Sequence, residues 1–175
     1  MILNLGSGKD YRKDCINADI NPSKKPDWVL DITKVPWGSR IFTQHGEHLV
    51  EKEMFHQIIA NDVLEHIQDL VCAMTNLKNL LHKDGQFHIH VPYDLSYGAW
   101  QDPTHVRAFN ERSFLYYTDW HWYLGWEDRF YLQSMELELS PIGSKIAEEE
   151  GLGTEQLALI PRAVDAMKVI LTKKP

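Results

Sequence analysis

The chain has 175 residues, of which 43% are hydrophobic and 25% are charged, and its formal net charge at pH 7 is -7. This size and composition are typical of one globular domain, so we expect a single domain over residues 1–175. The acidic balance gives no overall attraction for phosphate backbones or anionic lipid, which argues against nucleic acid and membranes as partners. Since no signal-peptide pattern and no apolar run of membrane-spanning length is found, we expect a cytoplasmic protein.

Four short apolar runs, each followed by polar residues, predict strands in the first third of the chain. They occupy residues 3–5, 16–20, 28–32 and 55–60. Four strands in series predict a sheet.

A long helix is predicted next, because apolar residues recur every three or four positions between Val63 and Leu81. Asp62 is its expected N-cap, with Glu65 three residues on completing a capping box, and Gly85 is its expected stop. Residues 86–92 then alternate between apolar and polar and predict a strand.

The strand, helix and strand in this order imply a parallel, right-handed crossover. Two further strands are predicted at residues 130–139 and 166–171. The expected fold class is α/β, with a mostly parallel central sheet and an antiparallel edge strand near the end.

Residues 93–131 hold thirteen of the nineteen aromatic residues of the chain. They predict a compact insertion on the substrate side, with a helix that begins near the cap-like Asn110. Because aromatic side chains offer a large contact area with polar tips, the same segment is expected to wall a substrate site.

A glycine turn, Gly6-Ser7-Gly8, follows the first predicted strand and would let a ligand approach the backbone closely. The spacing does not fit a P-loop, and it fits a dinucleotide-binding turn poorly, because Tyr11 stands where the third glycine belongs. Adenosine binding without a pyrophosphate is the remaining class.

Acids at the ends of the second and third strands could accept the hydrogen bonds that an adenosine donates. Asp19 is expected to accept hydrogen bonds from the two ribose hydroxyls, and Asp31 from the adenine amino group. Ile20 and Ile32 are expected to form apolar walls around the ring.

Five segments add to this pattern: residues 3–8 (LNLGSG), 16–20 (INADI), 27–31 (DWVLD), 58–66 (IIANDVLEH) and 80–85 (LLHKDG). In this order they resemble the motifs of class I S-adenosylmethionine-dependent methyltransferases. Residues 102–107 (DPTHVR) are similar to a segment of small methyltransferases of this type. The resemblance implies a Rossmann-like, seven-stranded fold and S-adenosylmethionine as the cofactor.

The same resemblance implies where the methionine end of the cofactor lies. The glycine turn, Gly6, Ser7 and Gly8, would contact the methionine part. Asn61, followed by Asp62 and Val63, would lie on the sulfonium side of the pocket.

Two features depart from the family pattern. Asn4 replaces the usual acid just before the glycine turn, and the first crossover helix must fit between Gly8 and Cys15, which leaves room for about two turns. We therefore expect a more open cofactor pocket, covered by another segment, a second copy of the chain or a partner chain.

Catalytic residues are expected in the loops after the fourth and fifth strands. His105 is the preferred general base, because an imidazole can accept a proton at neutral pH. Arg107 and Asp102 would orient the acceptor or pair with each other.

A metal site is the alternative reading of the same region. Asp62, Glu65 and His66 have the spacing of one helix face and offer ligands for a divalent ion, with His105 as a distant fourth. This pattern resembles that of some O-methyltransferases acting on vicinal or ribose hydroxyls.

The predicted function is transfer of a methyl group from S-adenosylmethionine to a small-molecule or glycan acceptor, on oxygen. One alternative is a catalytically inactive cofactor-binding partner subunit. The other is a methyltransferase that modifies nucleic acid, although the sequence offers no basic face for it.

Overall fold

The structure is a computed structural model that describes residues 1–44 and 46–174. Its strands are β1 (Ile2–Leu5), β2 (Ile16–Asp19), β3 (Trp28–Val29), β4 (Arg40–Thr43), β5 (Gly46–Leu49), β6 (Phe55–Asn61), β7 (Leu81–Pro92), β8 (Phe130–Leu139) and β9 (Val164–Lys173). Its α-helices are α1 (Leu70–Leu80), α2 (Gly98–Gln101), α3 (Pro141–Glu150) and α4 (Thr154–Leu157). Short 3-10 helices cover Pro22–Lys24, Ile32–Lys34, Leu64–His66, Leu115–Tyr117 and His121–Leu124. Within the described ranges, every helix is too short or too polar to cross a membrane.

Seven strands form one sheet in the order β3-β2-β1-β6-β7-β9-β8. The pairs from β3 to β7 are parallel, and β9 runs antiparallel to both β7 and β8. The predicted mostly parallel sheet with antiparallel pairing at one end is confirmed. The hairpin of β4 and β5, which forms a separate two-stranded sheet, was not predicted.

Strand β7 shows why the alternating pattern was informative. Phe87, Ile89 and Val91 are buried in the same core as Met74 and Leu77 of α1, as predicted. The residues between them point to the opposite face of the sheet, because successive side chains of a strand alternate.

That opposite face carries polar side chains. Gln57, His88, His90, Glu136 and Lys168 line a shallow, open cavity of about 590 Å³ on it. Among the described residues, no α-helix connects β1 to β2 or β2 to β3. The prediction of a two-turn helix between Gly8 and Cys15 is therefore wrong, since turns and extended chain take its place.

The long helix is shorter than predicted at both ends. Asp62 has a left-handed backbone (φ +53°) and cannot start a helix, and the N-cap is Asp69, whose side chain accepts a hydrogen bond from the Cys72 N–H at 2.9 Å. The apolar spacing extended further because the 3-10 turn Leu64–His66 also faces the core.

The predicted stop at Gly85 is also wrong, because α1 ends at Leu80 and β7 begins at once. Asp84 (φ +63°) and Gly85 instead form an irregular step inside β7. A Cβ on Gly85 would lie 2.8 Å from the His82 carbonyl oxygen, so this step requires glycine for steric reasons.

The aromatic segment has no α-helix at Asn110. The Asn110 side chain accepts a hydrogen bond from the Arg112 N–H at 3.0 Å and so caps a turn instead. Since β8 is parallel to β7, the segment must return from the carboxyl edge of the sheet to its amino edge, where the ring of Trp126 packs against Phe130. Aromatic packing along this route, with short helices, replaces the predicted helix.

Candidate active site

The glycine turn follows β1, where the strand order changes direction: β2 and β3 lie on one side of β1, and β6 and the later strands lie on the other. Open α/β sheets bind ligands at such a switch point, outside the carboxyl ends of the strands. Gly6 (φ +65°) and Gly8 (φ +49°) both have left-handed backbones. A Cβ on Gly6 would lie 2.3 Å from Cγ2 of Val63, so the turn packs directly on the segment that follows β6.

Asp19 fastens the glycine turn to the end of β2. One oxygen of its carboxylate accepts a hydrogen bond from the Gly8 N–H at 2.8 Å, and the other accepts one from the Asn21 N–H at 2.8 Å. Each oxygen keeps a second lone pair. The carboxylate is thus held at the switch point and can still accept hydrogen bonds from a ligand.

The end of β3 is built differently from the prediction. Asp31 caps the following 3-10 helix by accepting hydrogen bonds from the Thr33 N–H and hydroxyl, and these bonds, with the nearby Lys34, lower the pKa of Asp31. Ile20 is 67% exposed and available to a ligand, whereas Ile32 is only 5% exposed. Ile32 therefore belongs to the core and offers a ligand almost no surface, unlike the apolar wall that was predicted.

The turn after β6 is held by the neighbouring strand. The Asp62 N–H donates to the His90 carbonyl oxygen at 2.9 Å, and the Asp62 carboxylate contacts Nδ1 of His90 at 2.8 Å. The hydrogen bond to Asp62 raises the pKa of His90, and a second contact from Nε2 to Glu138 acts in the same direction. These contacts hold Asp62 in its left-handed conformation and leave the adjoining Asn61 exposed at the sheet edge.

A buried polar network holds the loop that replaces the first helix. Asn17 is fully buried, and its side chain accepts a hydrogen bond from the Arg12 N–H and donates one to the Arg12 carbonyl oxygen. It also accepts a hydrogen bond from the Asn4 amide at 3.1 Å and donates one to the Asp27 carboxylate at 2.9 Å. Asn4 also donates to the Asp10 carbonyl oxygen. Asn4 therefore fixes the loop, and the prediction did not identify Asn17 or Asp27 as its partners.

Glu65, His66 and His105 lie together although His105 is distant in the chain. One ligand atom from each lies within 4.8 Å of the others. The shared helix face predicted for Asp62, Glu65 and His66 is wrong, because of the left-handed backbone at Asp62. The predicted approach of His105 to Glu65 and His66 is present.

Glu65 is an unusual buried acid. Its side chain is 1% exposed, and neither of its oxygens has a hydrogen-bond partner among the described residues. Burial raises its pKa to about 7. The nearest cationic candidate is His105, whose Nε2 lies 3.9 Å from Oε1 of Glu65 and whose Nδ1 contacts the Ala99 carbonyl oxygen at 3.0 Å.

Asp102 and Arg107 do not pair with each other. Asp102 accepts hydrogen bonds from the backbone and hydroxyl of Thr104. Arg107 donates to the carbonyl oxygens of Ile67 and Gln68 at 2.7 and 2.8 Å. Both residues thus hold the segment 102–107 in place beside Glu65, and their contacts are those of positioning residues.

Two aromatic residues lie near His105. Tyr97 and Trp100 are 57% and 63% exposed, and they flank Ala99, which contacts His105. Trp126 lies at the other edge of the sheet, beside Phe130. Only part of the aromatic segment is therefore placed near the predicted acceptor site.

No protein-family model matches the sequence. No curated protein matches it significantly either.

Solved structures do share its fold. A SAM-dependent methyltransferase from Archaeoglobus fulgidus matches over 98% of this chain and 85% of its own, at 15% identity and a TM-score of 0.62. The 1,6-didemethyltoxoflavin-N1-methyltransferase of Burkholderia thailandensis, with bound S-adenosylhomocysteine, matches over 99% of this chain and 71% of its own, at 12% identity and a TM-score of 0.57. A chain from the complex between the Trm112 methyltransferase activator and a methyltransferase of Haloferax volcanii matches over 99% of this chain and 82% of its own, at 11% identity and a TM-score of 0.61. At such low identity the likeness establishes the fold alone, and it confirms the predicted Rossmann-like methyltransferase fold.

Proposed function

We propose that this chain is an S-adenosylmethionine-dependent methyltransferase that methylates a hydroxyl of a small-molecule or glycan acceptor. The observation that carries the proposal is the position of the Asp19 carboxylate, bonded to the Gly8 N–H at the switch point of the sheet. A left-handed glycine turn offers open backbone there, and a carboxylate with free lone pairs lies beside it. This combination suits a nucleoside whose ribose binds the carboxylate and whose 5′ substituent, lying against the glycine turn, is not a phosphate.

The cofactor would extend across the carboxyl edge of β2, β1 and β6. Its ribose would bind Asp19, its methionine part the turn Gly6, Ser7 and Gly8, and its adenine the surface formed by Ile20 and Asp31. The sulfonium would lie beside the exposed Asn61. In this pose the methyl group faces the loop that carries Glu65 and the segment 102–107.

Methyl transfer needs little chemistry from the protein beyond alignment, because the sulfonium already activates the methyl group. An acceptor hydroxyl must also lose its proton. In the metal-free protein, His105 would take up that proton through Nε2, since its Nδ1 is directed at the Ala99 carbonyl oxygen. Asp102 and Arg107 would act by positioning this segment.

Isothermal titration of the purified chain with S-adenosylmethionine and S-adenosylhomocysteine tests the cofactor. Mass spectrometry of any co-purified ligand and transfer of a labelled methyl group to a panel of sugars and phenols test the reaction. We expect one cofactor site per chain and label in a hydroxyl-bearing acceptor. Failure of both nucleosides to bind would overturn the proposal.

A second candidate function is a cofactor-binding subunit without activity of its own. It is favoured by the use of Asn4 as a loop anchor and by the polar sheet face, since the described chain between β1 and β3 has no α-helix to cover it. A partner chain or a second copy would cover this face. Cofactor binding without turnover, together with a complex in light-scattering measurements, would favour this alternative. Binding to nucleic acid that is lost as the salt concentration rises would instead indicate a methyltransferase that modifies nucleic acid.

A further inference from the structure

We propose that Glu65, His66 and His105 form a binding site for one divalent transition-metal ion. The three side chains present one carboxylate and two imidazoles, a ligand set that Zn²⁺ and Fe²⁺ bind in proteins. We name this group the 65/66/105 cluster. Its ligand atoms lie within 4.8 Å of one another.

The carboxylate of Glu65 is suited to binding a cation. An ionised group that is buried without hydrogen-bond donors is costly, and native proteins pair such groups or coordinate them to metals. Glu65 is 1% exposed, neither of its oxygens has a partner among the described residues, and His105 approaches only to 3.9 Å. A metal ion at the cluster would satisfy this carboxylate.

His105 has the orientation of a metal ligand. Its Nδ1 lies 3.0 Å from the Ala99 carbonyl oxygen, which can only accept a hydrogen bond. The ring proton must therefore lie on Nδ1, and the lone pair of Nε2 is directed towards Glu65.

His66 is held in the same way through Thr104. The Thr104 hydroxyl donates its single proton to Asp102 at 2.7 Å, and its hydrogen bonds lower the pKa of Asp102, so that this carboxylate acts as an acceptor. The Thr104 oxygen must then accept the Nδ1 proton of His66 at 2.9 Å, which leaves Nε2 of His66 with a lone pair. Metal-binding histidines almost always have their second nitrogen fixed by such an outer partner.

An ion would draw the three ligand atoms together from separations of up to 4.8 Å. Ligands at about 2.0–2.2 Å from a tetrahedral metal lie roughly 3.3 Å from one another. The Glu65 to His105 distance of 3.9 Å is close to this value, and His66 lies at the surface, where its side chain can adjust. The exposed side of His66 leaves a fourth position open to water or a ligand.

The role of this ion rests on the proposed function. Two members of the 65/66/105 cluster, Glu65 and His66, lie four and five residues after the exposed Asn61, beside which the proposed function places the sulfonium and its methyl group. An acceptor hydroxyl at the open position would lose its proton to solvent more readily, because a bound metal lowers the pKa of a coordinated hydroxyl. Its oxygen would then attack the methyl carbon, the C–O bond would form as the S–CH₃ bond breaks, and the electron pair of that bond would stay on sulfur as S-adenosylhomocysteine. With the ion bound, His105 acts as a ligand and not as the base.

The test is metal binding by the whole chain after dialysis against a chelator. Calorimetric titration with ZnCl₂ and visible absorption with CoCl₂ measure the site without any activity assay. We expect one ion per chain, with MgCl₂ binding much more weakly, because Mg²⁺ prefers oxygen ligands.

The variants Glu65→Gln and His66→Ala should each weaken Zn²⁺ binding by at least 100-fold. Thr104→Val keeps all three ligands and removes the hydroxyl that joins His66 to Asp102, so it should weaken binding by about 10- to 100-fold. His56→Ala is the matched control, since His56 and His82 form a second close imidazole pair among the described residues, with ring centroids 4.4 Å apart. His66 is exposed, so its replacement should leave the thermal unfolding temperature of the apo protein unchanged.

The inference is overturned if Zn²⁺ does not bind, or if it binds equally well to His66→Ala and Glu65→Gln. Loss of binding in His56→Ala instead would place the ion on the surface pair and also overturn it. Cofactor titration separates the two proposals: S-adenosylmethionine binding without Zn²⁺ binding removes the metal site alone. Zn²⁺ binding without cofactor binding removes the proposed function alone.

Discussion

The carboxylate of Asp19 and the backbone N–H of Gly8 are joined by a hydrogen bond of 2.8 Å, which connects the end of β2 to the turn after β1. One side chain thus sets the distance between the two surfaces that would hold the ribose and the methionine part of the cofactor. The same bond keeps Gly8 in its left-handed conformation (φ +49°) without a helix behind it.

Replacing Asp19 should therefore affect cofactor binding strongly. We expect Asp19→Asn to weaken S-adenosylmethionine binding by about 10-fold or more, which corresponds to roughly 1.4 kcal/mol. Asp19→Lys should abolish binding, because a cation replaces the acceptor of both ribose hydroxyls. Calorimetric titration measures the effect, with Asp119→Asn as a control, since Asp119 is exposed and pairs with Arg129 on the surface. Parent-like affinity in Asp19→Lys would contradict the assigned pocket.

Gly6 should tolerate no side chain. In Gly6→Ala the left-handed backbone costs about 1–2 kcal/mol, and the contact of 2.3 Å with Val63 adds about 1–3 kcal/mol of overpacking. Gly38→Ala is the matched control, because Gly38 is also left-handed (φ +78°) but a Cβ there would meet nothing within 4 Å. Urea unfolding should thus show the larger loss in Gly6→Ala, and Val63→Ala in that background should restore part of it. Equal losses at the two glycines would show that Val63 does not restrict the turn.

Asn17→Ala should destabilise the fold by more than about 3 kcal/mol. The change removes the partner of the Arg12 N–H and one hydrogen bond each from the Arg12 carbonyl oxygen and the buried Asn4 amide, in a loop that has no α-helix to hold it. Chemical denaturation of the parent and the variant gives the difference in the free energy of unfolding. Gln44→Ala is a suitable comparison, because the exposed Gln44 makes one bond to the same loop, at the Lys13 carbonyl oxygen. A loss no larger than that of Gln44→Ala would contradict the importance of the network.

The stability of the protein should depend on pH through two histidines of β7 with opposite signs. Hydrogen bonding to Asp62 raises the pKa of His90, so His90 stabilises the fold below about pH 6.5, and this contribution is lost as the pH rises through the raised pKa. Burial lowers the pKa of His88, so His88 costs stability as the pH falls below about 6.5 and through the lowered pKa.

Unfolding midpoints of His90→Gln and His88→Gln between pH 5 and pH 8 test this difference. Relative to the parent, His90→Gln should lose most at low pH, whereas His88→Gln should lose least there. Glu138 and Lys168 also contact the His90 site, so Glu138→Gln should reduce the His90 effect without reversing it. The same pH trend in both histidine variants would show that Asp62 does not hold a charged His90.

Local patterns in the sequence determined the strands of the seven-stranded sheet but not the hairpin of β4 and β5. They also determined the order of β6, α1 and β7, and the glycine turn with Asp19 beside it. Each depends on residues close in the chain: alternation in β7, helical spacing in α1, and a backbone at Gly6 and Gly8 that other residues rarely adopt. The resemblance to methyltransferase motifs added the expectation of a seven-stranded sheet, which the structure confirms.

Only the tertiary structure decided where α1 begins, what replaces the first helix, and which side chains meet. Asp62 was the predicted cap, but its contact with His90 on the neighbouring strand holds it outside the helix, and Asp69 is the N-cap instead. Glu65 and His105 are forty residues apart, a separation at which no periodicity relates two side chains. Their approach depends on packing of the segment 102–107 against the turn after β6, and such packing is a property of the folded chain as a whole.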